Sequence, residues 1–358
     1  MNKHKLALLL LSVAVLYSLW LWLKPYPSKL VLTEQEHIVV ENLLVNPTPR
    51  CIGRYIIDLP ESFVLPDASL VQINKQNVET KRMYLPAFEQ RIRLREKELR
   101  NTRTIGAEDA PFLKKVYSLP DGMQGVIFEH NSSDISPDVF RHLEAHIYNN
   151  GVAFKTIIEA MNPDSERYEQ QRKNDPDFYR NDVSQKLTEL KGLLSRLQGR
   201  KENEIPYTTG LCIPDGFIAG NMFGDEDVAL SYESAVNPRL GINFSTNNFI
   251  QEDRSLLERS AEIKIGLLLS NTHTLMKGSR KINTLMAEEW LSSGTGEDAA
   301  SGHVFRLLVN EKTGSDKTPF LSVGISHGPL PDEALSENEI IAFWQKITAT
   351  LRPRFGTI

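Results

Sequence analysis

The chain has 358 residues, 41% of them apolar and 24% charged. That length suits two domains of roughly 150 residues each, and the composition excludes collagen-like, disordered and multi-span membrane chains. A net charge of -5 lacks the basic excess that nucleic-acid binding uses, so no nucleic-acid partner is expected.

Leu6 to Leu23 is a run of 18 residues without a charge, preceded by Lys3 and Lys5 and followed by Lys24-Pro25. As a helix it would be about 27 Å long, close to the ~30 Å hydrocarbon core of a bilayer. Trp20 and Trp22 stand at its far end, where aromatic side chains gather at membrane interfaces, and Lys24 can reach the headgroups. A cleaved signal peptide ends in a small-x-small site, whereas this exit reads Leu-Trp-Leu-Trp-Leu-Lys-Pro. Residues 1–24 therefore read as an uncleaved transmembrane anchor, with everything after Lys24 exported.

Residues 25–48 read as a juxtamembrane linker, with regular structure beginning at Cys51. Arg54 to Pro60 and Ala68 to Val78 read as strands. Phe88 to Leu99 predicts a basic helix with Phe88, Ile92 and Leu99 on one side. Val116-Tyr117 and Val126 to Phe128 predict a hairpin whose turn is Asp121-Gly122. Ser136 as N-cap, Pro137 at the first helical position and Phe140, Leu143 and Ile147 on one face predict a helix, ended by Asn149-Asn150-Gly151. Val152 to Ile158 resumes as a strand, and Asn162 to Asp182 reads as a surface loop or frayed helix. Val183, Leu187, Leu190, Leu194 and Leu197 then recur at helical spacing and give an amphipathic helix. Gly199 to Glu204 is the break between halves.

The second half opens on another Cys-containing strand and turn around Cys212. Asp227 to Ser234 and Leu240 to Phe244 read as strands, Ser255 to Leu269 as a helix, and His303 to Val309 with Phe320 to Ile325 as a strand pair. A capping box, Ser336-x-x-Glu339, opens a last helix with Ile340, Trp344, Ile347 and Leu351 on one face. Strands and helices mix without βαβ alternation. The fold class is α+β: two domains, 49–203 and 204–358, each a mainly antiparallel sheet with packed helices, preceded by one transmembrane helix.

Candidate chemistry is sparse. Cys51 and Cys212 are the two cysteines; an oxidising compartment favours a disulfide between them, and two buried free thiols are the alternative. Gly324-Ile-Ser326-His-Gly328 matches the nucleophile elbow of α/β-hydrolases, but that elbow needs a helix at once, and Pro329-Leu-Pro331 follows instead. No histidine lies beyond His327 to complete the hydrolase order. His142 and His146 stand one turn apart on the expected helix, a spacing that metals use, but Glu144 would point away from that face and both would be solvated. Lys81 to Arg103 carries eight basic and three acidic residues and reads as a solvated face or a contact for an acidic partner or anionic lipid. No catalytic, cofactor-binding or metal residues are assigned. An exported, anchored chain without an active site points toward binding.

Three segments carry a family resemblance. They are Cys51-Ile-Gly-Arg-Tyr-Ile-Ile-Asp-Leu-Pro60, the leucine-spaced helix leading into Ile205-Pro206-Tyr-Thr-Thr-Gly210-Leu-Cys212-Ile-Pro-Asp-Gly216-Phe-Ile218, and Phe343-Trp344 through Arg352-Pro-Arg354-Phe-Gly356. In this order the chain resembles the immunity proteins paired with Tle-class phospholipase effectors of type VI secretion, over about residues 49 to 358. The resemblance implies a periplasmic, non-catalytic inhibitor without cofactor. Its two α+β domains would clamp the cognate phospholipase effector and cover its active-site entrance. It transfers no contact residues. An N-terminal helix in the inner membrane would hold such an inhibitor beside the phospholipid substrate. The alternatives are an anchored serine hydrolase using Ser326 and a non-catalytic envelope scaffold.

Overall fold

Thr33 and Glu36 open the first described helix reciprocally. The Thr33 hydroxyl accepts from the Glu36 N–H at 3.3 Å, and the Glu36 carboxylate accepts from the Thr33 N–H at 2.8 Å. The resulting α1 (Glu34–Leu43) lies in the stretch expected to be a linker and packs on the last helix of the chain. Regular structure thus begins before Cys51, at a capping box that the scattered prolines obscured. The structure, a computed structural model, describes residues 26–66, 69–120, 122–221, 224–237, 239–295, 301–328 and 334–354. The apolar run Leu6 to Leu23, Asp121 of the expected turn and Pro329 to Pro331 lie outside them. Among the described residues no helix is long and apolar enough to cross a membrane.

A small sheet follows, made of β1 (Pro47–Ile52), β2 (Tyr55–Pro60) and, from the far end of the chain, β19 (Arg352–Pro353). After β3 (Phe63–Val64) comes a hairpin of β4 (Ser69–Ile73) and β5 (Gln76–Arg82). The stretch expected as one strand is broken by Asn74 and Lys75, which both take positive φ (50° and 66°) as a two-residue turn does. Glycine is absent there, so the turn carried little signal.

The basic helix α2 (Leu85–Asn101) buries Phe88 and Leu99, as its spacing predicts. The N-terminal sheet continues through β6 (Leu113–Ser118), β7 (Gln124–Asn131), β8 (Phe140–Asn149) and β9 (Val152–Met161). The expected helix from Ser136 to Ile147 is therefore strand β8, paired along its length with β7 and β9. Both of its faces are covered. Leu143, Ala145 and Ile147 join the main core, where α4 (Val183–Leu194) packs, while Glu144 and His146 face α2. Burial on both faces removes the period-2 alternation, leaving a 3–4 spacing of Phe140, Leu143 and Ile147 that imitates a helix. The polar connection holds a short helix, α3 (Glu169–Asn174). Leu197, assigned by spacing to the leucine helix, instead starts β10 (Leu197–Gly199), which pairs with β12 (Gly216–Ala219) beside β11 (Gly210–Ile213).

The C-terminal sheet runs through β13 (Glu226–Ser234), β14 (Leu240–Asn247), β15 (Thr272–Ile282), β16 (Leu285–Thr295), β17 (Ser301–Val309) and β18 (Phe320–His327). Helix α5 (Ser260–Leu269) packs on β15, and α6 (Glu337–Thr348) crosses the buried face. The Ser336/Glu339 capping box forms as predicted. Phe343 stacks on Phe63 at 5.7 Å between centroids, and Trp344 meets Phe305 edge-on at 5.8 Å.

Strand order gives the relationship between halves. It runs β15-β16-β17-β18-β14-β13-β4-β5-β9-β8-β7-β6, antiparallel throughout, with β3 also on β13. β4 and β5 pair only beside their turn, at Gln72 with Asn77 and Ile73 with Gln76. β4 then follows β13 and β5 follows β9. One N-terminal hairpin therefore joins two α+β sheets.

Candidate functional site

The join is where the residues of the first two resembling segments meet. Cys51 on β1 and Cys212 on β11 are disulfide-bonded, with Cα atoms 5.7 Å apart and a sequence separation of 161. Beside them Gly53 and Cys212 exchange backbone hydrogen bonds, at 2.9 and 2.8 Å. Gly53 takes φ of +58°, and a Cβ there would lie 2.5 Å from Thr246 Cγ2. Only glycine fits both demands. Arg54 next to it is buried and makes two parallel hydrogen bonds to the Glu226 carboxylate, at 3.0 and 2.8 Å. Burial pushes the Glu226 carboxyl up, against the pull of Arg54.

Two more arginines tie the segments together through backbone carbonyls. Arg200 is buried and donates to Gly216 O at 2.9 Å and to Cys51 O at 3.1 Å. Arg354, from the terminal segment, donates to Pro206 O at 2.9 Å, Thr208 O at 2.6 Å and Gly210 O. Its own N–H donates to Arg54 O at 2.8 Å. A planar guanidinium with five donors suits such carbonyl cages. Burial pushes Arg354 down to about 10. The first, middle and last resembling segments thus form one polar knot between the two sheets.

His142 and His146 lie elsewhere, on β8, and their surroundings differ from expectation. On a strand, side chains two apart share a face, so Glu144 stands between them rather than opposite. His146 is buried, not solvated, and its Nε2 lies 2.6 Å from Glu144 Oε1. Arg95 of α2 donates twice to the same carboxylate, at 2.8 and 2.6 Å, and His130 Nε2 lies 3.3 Å from it. Burial opposes ionisation of Glu144, but His130, His146 and Arg95 together hold its carboxyl well below the usual range. The carboxylate is committed to fixing α2 on the sheet.

Ser326 lies on β18 with its side chain exposed, in a shallow groove of about 420 Å³ on the outer face of the C-terminal sheet. Its hydroxyl accepts from Asn243 Nδ2 at 3.4 Å. His327, the next residue, is buried on the opposite face, where its Nδ1 stands 3.2 Å from His303 Nδ1. Alternation along the strand therefore separates serine from imidazole, and the elbow geometry is missing.

Among the described residues of the N-terminal half, two surfaces could take a macromolecule. On α2, Arg91, Arg93 and Leu94 are exposed, and Tyr84, just before the helix, is 86% exposed. A cleft of about 960 Å³ opens on the N-terminal sheet, lined by the Asn74-Lys75 turn, His142, Glu159, Phe178 and Lys186. Large exposed aromatics beside arginine are the composition that anchors protein interfaces. The sequence marks the basic stretch and the His142-Glu144-His146 group, which it sets on a helix rather than a strand, but it gives no sign of Glu226. The partner of Glu226, Arg54, lies 172 positions away, and no spacing records the pair.

The comparisons bear on this arrangement. Residues 48–200 match the family model described as Tle cognate immunity protein 4 N-terminal domain, and residues 204–356 match its C-terminal domain. The chain belongs to the Tle cognate immunity protein 4 family. The apo immunity protein TplEi of the type VI secretion system of Pseudomonas aeruginosa is similar in fold, with a TM-score of 0.69 at 22% identity. That likeness covers 87% of this chain and 98% of that one. A chain of the Tle4–Tli4 complex is similar with a TM-score of 0.68 at 21% identity, over 86% of this chain and 97% of that one. No curated protein matches the chain.

Proposed function

We propose that this chain binds a Tle phospholipase effector in the periplasm and inhibits it without catalysis, clamping the enzyme and covering its active-site entrance. The observation that carries this reading is the tandem match of both family domains across 48–356, on two sheets knotted together at Cys51, Arg54, Arg200 and Arg354. A clamp needs lobes that keep their relation to each other, because ordering them on binding would cost affinity. The solved relatives are an immunity protein and a Tle4–Tli4 complex, which supports an effector as partner. Inhibition by occlusion asks for no cofactor and no nucleophile.

The exposed arginines of α2, with Tyr84 and Leu94, and the 960 Å³ cleft are the surfaces assigned to the effector. In the same reading Cys51 and Cys212 are bonded in the exported protein, where thiols oxidise. Residues 1–24 remain uncleaved as an inner-membrane tether that keeps the inhibitor beside the lipid substrate. The test uses purified full-length chain in detergent micelles and its cognate Tle phospholipase. Loss of phospholipase turnover at equimolar inhibitor is expected. Full turnover, with no co-elution of the two proteins, would overturn the proposal.

A further inference from the structure

Tyr26, the first described residue, is fixed at one edge of the large sheet. Its hydroxyl donates to Glu289 Oε1 at 2.7 Å. Its ring fills the space left by Gly278, where an ideal Cβ would lie 2.6 Å from the ring's Cγ. Gly278 belongs to β15, the end strand of the sheet, and Glu289 is its partner on β16. Only Lys24 and Pro25 separate Tyr26 from Leu23, where the apolar run ends. An anchor over that run would enter the bilayer within three residues of this edge, about 10 Å of extended chain.

The opposite face of that edge strand carries an apolar helix surface that nothing covers among the described residues, because Lys277 and Trp290, beside Gly278 and Glu289 in sequence, point toward it. Helix α5 is held on β15, with Lys277 Nζ donating to Ser260 Oγ at 3.0 Å and Ile263 and Leu267 packing on Trp290, Leu256 and Leu308. Ile265, Leu268 and Leu269, three and four positions apart, turn outward and are 59%, 79% and 86% exposed. Single exposed apolar residues are ordinary, but three adjoining on one helix face mark a contact surface. Lys264 is exposed on the same helix, and β15 contains no Asp or Glu. The helix's own carboxylate, Glu262, is paired with Arg254 at 2.8 Å.

We infer that this face rests on the membrane. Ile265, Leu268 and Leu269 enter the boundary between headgroups and acyl chains, and Lys264 meets anionic headgroups, as on an interfacial helix. The occupant is set by where the chain leaves the protein, so the inference rests on the anchor reading of residues 1–24. It also orients the molecule. The strands under α2, β8 and β7, stand nine and ten places from β15 in sheet order, which leaves the basic face of α2 away from lipid.

The test places a fluorescent nitrobenzoxadiazole label on Leu268→Cys, and separately on Leu94→Cys of α2, in the full-length protein. Each variant is reconstituted into vesicles of phosphatidylethanolamine and phosphatidylglycerol with nitroxide-labelled acyl chains. Both positions are exposed, so labelling leaves the core intact. The label at residue 268 is expected to shift to the blue and lose most of its emission, while that at 94 keeps both. Release of the chain by alkaline carbonate would overturn the anchor reading. Retention without quenching at 268 would overturn the membrane contact alone. Emission at 268 that shifts with protein concentration in detergent, without lipid, would assign the face to a second copy and also overturn it.

Discussion

Arg54 and Glu226 form a buried, two-pronged ion pair across 172 residues of sequence, at 3.0 and 2.8 Å. It links the turn after β1 to the first residue of β13, and so the N-terminal segment to the C-terminal sheet. Coulomb attraction at this depth offsets desolvation only while both partners are present. Arg54→Ala would strand a buried carboxylate and is expected to cost about 3–5 kcal/mol. A denaturant titration checks this, and a midpoint equal to that of the unaltered protein would contradict it.

The disulfide tests the same join by another route. In the chain-entropy model a bond closing so long a loop stabilises by at most about 5 kcal/mol, chiefly by restricting the unfolded chain. Cys51→Ala with Cys212→Ala is expected to lose a few kcal/mol and to become insensitive to reductant. The backbone bonds between Gly53 and Cys212 survive the change, so the fold should persist. Equal stability of the unaltered protein in oxidising and reducing buffer would contradict the prediction.

Acid should weaken this protein in two steps with different origins. Burial, and then the neighbouring His303, push His327 down from 6.5 to about 4, and burial also lowers His303. Between those values the unfolded chain binds more protons than the folded one, so stability falls as pH falls from 6.5 toward 4. Glu144, held ionised by His130, His146 and Arg95 against its burial, contributes stability that is lost below its ordinary 4.5. His327→Gln should flatten the upper step and leave the lower one. Denaturation midpoints across the acid range check this, and an unchanged slope above 4.5 would contradict it.

Several elements were legible in the sequence because their signals are local. The Ser336/Glu339 capping box and the Ile340, Trp344 and Ile347 stripe mark α6, and the Phe88-to-Leu99 stripe marks α2. Strand β8 was misread because its polar face, Glu144 and His146, is buried under Arg95 and so breaks the alternation. The β4–β13 pairing joins residues near 70 to residues near 230, and β19 on β2 spans almost the whole described chain. No spacing records such contacts. The resembling segments hinted at them, since Gly53, Arg54, Gly210, Cys212 and Arg354 all meet in one knot. What each residue does there became physical only with the geometry.

Cell survival tests the central claim most directly. The cognate Tle phospholipase is directed to the periplasm of a sensitive host, with this chain exported, retained in the cytoplasm, or absent, and surviving cells are counted. The account predicts rescue only by the exported chain, and equal rescue by its Ser326→Ala variant, because protection is by binding. Cells that die with folded, exported protein present, or rescue that Ser326→Ala abolishes, would contradict it.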